Sequence, residues 1–359
     1  MLYHLLYEWL GLNIARYITF RTAAASLTAF AIGLFLGPWM IRRLRAFQVG
    51  QVVRQDGPAS HQAKSGTPTM GGLLILTAVF VPTLLWADLT NAYVWIAVLA
   101  TAAFGAIGFL DDYLKVARRS HHGLFARYKL LAQVVVGLAV GGALIALADG
   151  NPAQYHTRLM IPFFKEWVPD FGWWYVPFAM LVLVSSSNTV NLTDGLDGLA
   201  ISTFAVSAAT FTALTYVTGH RAIADYLLIA PSAPAAELTI FCGTLVGASL
   251  GFLWWNSHPA DIFMGDVGSL ALGGALGTVA LLIKQELLLP IVGGVFVLEG
   301  LSVILQVGSF KLRGKRIFKM APLHHHFELI GWAEPKVITR FLILAIIFAL
   351  LSLTTLKLR

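Results

Sequence analysis

Ten apolar runs, most of them about as long as a membrane is thick, alternate with short polar loops along these 359 residues. They fall at about 19–40, 71–87, 93–110, 129–147, 174–190, 199–217, 238–255, 268–283, 288–308 and 337–356. Crossing a hydrocarbon core takes roughly 20 residues of α-helix. A backbone in lipid must satisfy its own hydrogen bonds, so a helix is predicted for every run. Barrel strands would alternate apolar and polar residues, and these runs do not. Gly and Pro punctuate the run ends, at Gly37-Pro38, Gly71-Gly72, Pro231, Pro234, Pro322 and Pro335. The pattern predicts an all-α, polytopic integral membrane protein with about ten transmembrane helices in a single domain over 1–359. The first strong run has no small-residue cleavage site before it and is expected to stay as a span.

Lys and Arg orient the runs. The loops after runs 1, 3, 5, 7 and 9 carry 16 of them, and the opposite loops with both ends carry seven. Positive loops stay in the cytoplasm, so both termini are expected outside and the odd-numbered loops inside. The outward stretch from about 148 to 173 is rich in Pro and aromatic residues. An interfacial hairpin or short helix is expected there, with Trp167, Trp173 and Trp174 as an aromatic belt.

Composition agrees with the pattern. Hydrophobic residues make up 57% of the chain, mean hydropathy is +0.75, and only 12% of residues are charged, against roughly 25% in soluble domains. The net charge of +7 sits in short loops between apolar runs, which fits topology and anionic headgroups better than nucleic acid. Cys242 is the only cysteine, which excludes an intrachain disulfide and a thiolate metal site.

Four polar clusters fall in the odd-numbered loops. Asp111-Asp112 closes run 3, with Lys115 just beyond. As a bare pair it fits a solvated helix end, although carboxylates there oppose the helix dipole. Adjacent carboxylates also push each other's pKa apart, so one can serve as a base. The stretch Asn191 to Gly198 reads NLTDGLDG. It is expected to be a tight turn between spans, with Thr193 or Asp194 capping the next helix. A capped turn accounts for one Asp and one Gly, but not for Asn191, Asp194 and Asp197 together. The loop from Asn256 to Ser269 carries Asp266 between two glycines and Phe263 nearby. Asp266 alone would be an N-cap; facing two other acidic clusters it becomes a candidate Mg²⁺ ligand. Phe263 can stack on a base or pack in the core.

His324-His325-His326 lies in the longest basic loop. Consecutive residues point different ways on a helix, and zinc sites need spaced ligands, so phosphate binding or proton handling fits these imidazoles better. Glu299 lies mid-span in run 9, where a charge needs a buried partner or a function. Lys64, Lys115 and Lys129 each lie close to a motif or a span end. Carboxylates with Mg²⁺, ringed by Lys and His, suit phosphoryl transfer. A cytosolic face offers a charged soluble donor and the bilayer a lipid acceptor.

The stretches TPTMGG (Thr67 to Gly72), DDYLK (Asp111 to Lys115), NLTDGLDGLA (Asn191 to Ala200), FMGDVGS (Phe263 to Ser269) and APLHHHFEL (Ala321 to Leu329) carry a resemblance. In order and content they resemble the phospho-N-acetylmuramoyl-pentapeptide transferase family, within the polyprenyl-phosphate N-acetylhexosamine-1-phosphate transferases. The likeness runs from about Tyr17 to the C-terminus. NLTDGLDG with MGD marks the superfamily; TPTMGG and the His tract narrow it to the muramoyl-pentapeptide branch.

The resemblance implies a Mg²⁺-dependent reaction in the bacterial inner membrane, run by a homodimer. UDP-N-acetylmuramoyl-pentapeptide and undecaprenyl phosphate give lipid I and UMP. Carried over by position, Asp266 binds Mg²⁺, and Asp111 deprotonates or orients the lipid phosphate with Asp112 in support. Lys64, Thr69, Asn191, Asp194, Asp197, Asn256 and Phe263 shape the uridine and ribose pocket. Lys115, Lys129, His324, His325 and His326 hold phosphates. Direct attack by the lipid phosphate is expected over a covalent step on Asp266, because an Asp committed to Mg²⁺ is a poorer nucleophile. Two other readings compete: a transferase of the sister branch that takes UDP-N-acetylglucosamine, and an ion-coupled transporter. A transporter would place its charges near the bilayer midplane, where only Glu299 lies.

Overall fold

The computed structural model describes residues 1–47, 66–118, 123–149, 157–164 and 166–357. The described residues are helical between turns, with one isolated β-bridge joining Arg158 and Asp170. In chain order the helices are α1 (Ile18–Ala46), α2 (Gly72–Trp86), α3 (Ala92–Ala117), α4 (Ala126–Asp149), α5 (Tyr175–Thr193), α6 (Leu199–Gly219), α7 (Arg221–Leu227), α8 (Ala235–Asn256), α9 (Gly265–Leu282), α10 (Leu289–Val292), α11 (Gly294–Arg313), α12 (Leu323–Leu329) and α13 (Glu334–Thr354).

Among the described residues nine helices are long and apolar enough to cross a membrane: α1, α3, α4, α5, α6, α8, α9, α11 and α13. The second apolar run forms the shorter α2, of 15 residues, about 22 Å at 1.5 Å per residue. The ninth run is not one helix. It breaks at Gly293 into α10 and α11.

Helix α9 lies at the centre, packed against α3, α5, α2 and α6. Its Gly273, Gly274 and Gly277 let neighbouring helices approach closely, since a Cβ on Gly273 would stand 2.5 Å from the Ser186 carbonyl. Helices α1, α4, α11 and α13 are buried along one side only and expose Leu27, Phe35, Leu131, Ile304 and Leu350. Apolar side chains in such numbers on the outside belong against lipid.

One end of the bundle gathers both chain termini. The Met1 ammonium donates to the Leu84 carbonyl, and the Lys357 ammonium lies 3.5 Å from the Tyr226 ring centroid. Arg21 and Glu237 form a buried two-pronged pair at this end, at 2.8 and 2.6 Å. Lys284 pairs with Glu286 at 2.8 Å, and Tyr175 donates to the same Glu286 oxygen at 2.7 Å. Burial pulls the Lys284 ammonium below its usual range, against Glu286. The stretch rich in Pro and aromatic residues forms the expected hairpin over its described part. Leu159 donates to Pro169 and Phe171 to Thr157, and Trp167, Trp173 and Trp174 are exposed.

Candidate active site

The acidic motifs meet at the opposite end. Helix α3 continues seven residues beyond its apolar run, so Asp111 and Asp112 lie within a helix and not in the loop that the run boundary suggested. Lys115 supports that continuation: four residues after Asp111 and three after Asp112, it lies about one helical turn on and pairs with both. The Asp111 carboxylate also accepts from the Leu124 amide at 2.9 Å, and Asp112 from the Val267 amide at 3.1 Å.

Asp266 stands in the first turn of α9, inside the helix and not at its cap. A carboxylate there is favoured by the positive end of the helix dipole. One of its oxygens is held by Lys115 and Lys129, each at 2.8 Å, and the other accepts from Asn191 at 2.7 Å. The same Asn191 amide nitrogen donates to Ser269 at 2.7 Å. Ser269, one turn after Asp266 on the same face, is a contact that the motif reading left out; the three-residue spacing was its only signal. Gly108 seats the arrangement, because a Cβ there would overlap the Asp266 carbonyl.

Asn191 lies in the last turn of α5, which ends at Thr193, and the turn Asp194 to Gly198 follows. Neither Thr193 nor Asp194 caps α6. Its first helical residue follows Gly198, which takes a left-handed conformation (φ +78°) that glycine adopts without strain. Asp194 instead accepts from the Gly265 amide. Burial pushes its carboxyl up to about 8, and the nearby Asp266, Asp112 and Asp197 add to the rise.

Asp111, Asp112 and Asp266 thus face Lys115 and Lys129, with Asp194 close to Asp112 and Asp266. Three carboxylates against two ammonium groups leave an excess of negative charge. Oxygens of Asp111, Asp112 and Asp266 lie within 4.8 Å of one another. An all-oxygen, acidic set of this kind fits a hard divalent cation such as Mg²⁺ and offers no soft ligand.

The remaining candidates surround this centre. Thr69 lies against Gly265, whose Cβ would come 3.0 Å from its hydroxyl. Phe263 is half-buried; its amide donates to Pro68 and its carbonyl accepts from Gly71. Asn256 is buried and accepts from the Gly198 amide while donating to the Ile262 carbonyl. The Asp197 carboxylate turns from the cluster toward His258 and the Ala260 amide, each at 3.1 Å. Lys64 lies outside the described residues.

On the short helix α12 the His324 and His325 rings lie 4.1 Å apart, but each imidazole takes a different partner. His324 is fully buried, with its backbone amide on Glu299 and its ring nitrogen Nδ1 3.2 Å from the same carboxylate oxygen. The ring also packs on Gly195, where a Cβ would overlap it. That contact places the His helix against the Asp194 turn. His325 pairs with Glu328 at 2.9 Å, and His326 accepts from the Lys319 amide at 3.1 Å. Glu299 therefore has a buried partner.

Comparison with known proteins fits this geometry. The family model described as Glycosyl transferase family 4 matches residues 94–284. That span includes the Asp111-Asp112 pair, the Asp194 turn and Asp266. A second model, Phospho-N-acetylmuramoyl-pentapeptide-transferase signature 1, matches residues 64–76. The chain is 59% identical over 381 residues to the phospho-N-acetylmuramoyl-pentapeptide-transferase of Koribacter versatilis, and 59% identical over 367 residues to that of Desulfatibacillum aliphaticivorans. It is 55% identical over 363 residues to that of Pelobacter propionicus, and all three alignments cover 100% of both chains. The chain belongs to the phospho-N-acetylmuramoyl-pentapeptide-transferase family.

Proposed function

We propose that the chain transfers phospho-N-acetylmuramoyl-pentapeptide from its UDP ester to undecaprenyl phosphate, releasing UMP and leaving lipid I. Family membership supports the reaction, and the convergence of Asp111, Asp112 and Asp266 with Lys115 and Lys129 is the observation that carries it. An oxygen of the lipid phosphate attacks the β-phosphorus of the donor. The bond from that phosphorus to the bridging oxygen breaks, and UMP leaves with the electron pair.

Asp111, Asp112 and Asp266 would hold Mg²⁺, which would supply charge neutralisation for the pyrophosphate. Lys115 and Lys129 neutralise further charge as the leaving phosphate departs. Asp111 orients the lipid phosphate and takes any proton it carries. Asp266 has both oxygens engaged by Lys115, Lys129 and Asn191, which makes it a poor nucleophile and favours direct attack. Thr69, Asn191, Asp194 and Phe263 would line the nucleoside end, and the His helix would close the phosphate end. The excess of Lys and Arg in the odd-numbered loops supports a cytoplasmic site in the inner membrane with both termini outside.

UMP release in detergent with undecaprenyl phosphate tests the reading. The muramoyl-pentapeptide nucleotide is expected to yield lipid product and UDP-N-acetylglucosamine none. Chelation of Mg²⁺ abolishes release and added Mg²⁺ restores it. Asp266→Asn lowers the rate by about 10³-fold or more while the protein elutes as wild type. An Asp266→Asn variant that still released UMP would end the assignment.

A further inference from the structure

A second group of charged residues lies beside the candidate active site. Asp197 and Glu334 are buried, with 3% and 9% of their surface exposed, and His258 is partly exposed. His258 Nδ1 stands 3.1 Å from an Asp197 oxygen and 3.6 Å from a Glu334 oxygen. A ring nitrogen between two carboxylates carries the proton. The other Glu334 oxygen accepts from the Asp197 amide at 2.9 Å. The Asp197 oxygen that faces His258 also accepts from the Ala260 amide at 3.1 Å.

These contacts tie three segments distant in sequence: the turn before α6, the loop after α8 and the first residue of α13. The loop has a further role. Over residues 257–264 it runs to Phe263 and Met264, which pair with the segment before α2. Phe263 donates to Pro68 at 2.8 Å, Gly71 donates to Phe263 at 2.9 Å, and Gly72 donates to Met264 at 2.8 Å. Thr69 lies inside this pairing. The carboxylate cluster is anchored separately, through Lys115, Lys129 and Asn191.

We infer that His258 and Glu334 are positioning residues for the nucleotide donor, an inference that rests on the transferase reading above. Acting through Asp197 they hold the 257–264 loop in place. The loop sets Phe263, and its pairing with residues 68–72 sets Thr69. Neither His258 nor Glu334 touches the reacting phosphates. Their removal loosens the nucleoside end and leaves Asp266 in place.

Steady-state UMP release and hydrogen–deuterium exchange on the detergent-solubilised full chain test this together. His258→Ala and Glu334→Ala are each expected to raise the donor KM about tenfold, the loss of one hydrogen bond to a charged group. Their kcat and their KM for undecaprenyl phosphate stay within about threefold of wild type. Amides of residues 257–264 exchange faster in both variants. His258→Asn keeps a donor toward Asp197, and Glu334→Gln keeps an acceptor for its amide, so both restore most of the donor KM. These conservative variants also keep the test decisive if an alanine variant fails to fold. Faster exchange with an unchanged donor KM would reduce the group to a packing role and overturn the inference. A fall in kcat at constant KM would overturn it too. A wild-type chain that released no UMP would instead remove the donor assignment itself, and the positioning role with it.

Discussion

Asn191 shows how much one amide can settle. Its nitrogen reaches both Asp266 and Ser269, so it fixes the rotamer of the carboxylate proposed to hold Mg²⁺. Residues that orient a ligating carboxylate are worth about 10–100-fold in metal affinity or activity. Asn191→Leu is therefore expected to raise the Mg²⁺ concentration for half-maximal UMP release about 10–100-fold, read by titrating Mg²⁺. An unchanged titration would show that Lys115 and Lys129 orient Asp266 alone. Which residue types matter was readable in the chain, because paired Asp, Gly-flanked Asp and clustered His are rare between apolar runs. Their partners were not. Asp197 looks like Asp194 in the sequence, both followed by Gly, yet one faces the carboxylate cluster and the other faces His258. Three residues of turn rotate the side chain away, and nothing in the spacing tells which of the two stays.

Helices were legible in their existence and less so in their ends. Apolar runs stop where polar residues begin, but backbone hydrogen bonds continue wherever side chains tolerate it. That is why α3 extends to Ala117 and α9 begins at Gly265. The break at Gly293 went unread, since the apolar pattern runs straight across it. At the other end of the bundle, where α9 gives way to α10, Lys284 and Glu286 form a pair buried from water. Removing one partner of such a pair leaves the other charge stranded, at a cost of about 3 kcal/mol. Lys284→Met and Glu286→Gln are each expected to lower the thermal unfolding midpoint in detergent. The double variant should lose less than the two singles combined. Strictly additive losses would mean that the two charges do not sense each other.

The bundle as a whole has two chemically different ends, and the Lys and Arg count supports the proposed cytoplasmic place of the acidic one. Cysteine labelling checks that assignment, and the only native cysteine, Cys242, is buried and contributes little background. Trp173→Cys is expected to react with a membrane-impermeant maleimide on intact cells. Arg313→Cys should react only after permeabilisation. The reverse pattern would invert the protein and place the acidic centre outside. Most of this plan was visible in the sequence: ten runs, their alternation, and four polar clusters on one side. The interior was less visible. Most runs show little contrast between their faces, so period and polarity do not say which helix is encased and which meets lipid. Small residues hint at it, and α9 has the highest buried share of any span.

Because α9 is enclosed along its length, Asp266 in its first turn is tied to the packing of the whole helix. Its 18 residues span about 27 Å. A tilt of about 5° about the far tip would swing the near one by roughly 2 Å, and misplacements of about 1 Å are enough to slow a reaction a hundredfold. A distortion at the far end of the bundle, near Leu282, would thus be carried by leverage to Asp266 and the carboxylates beside it.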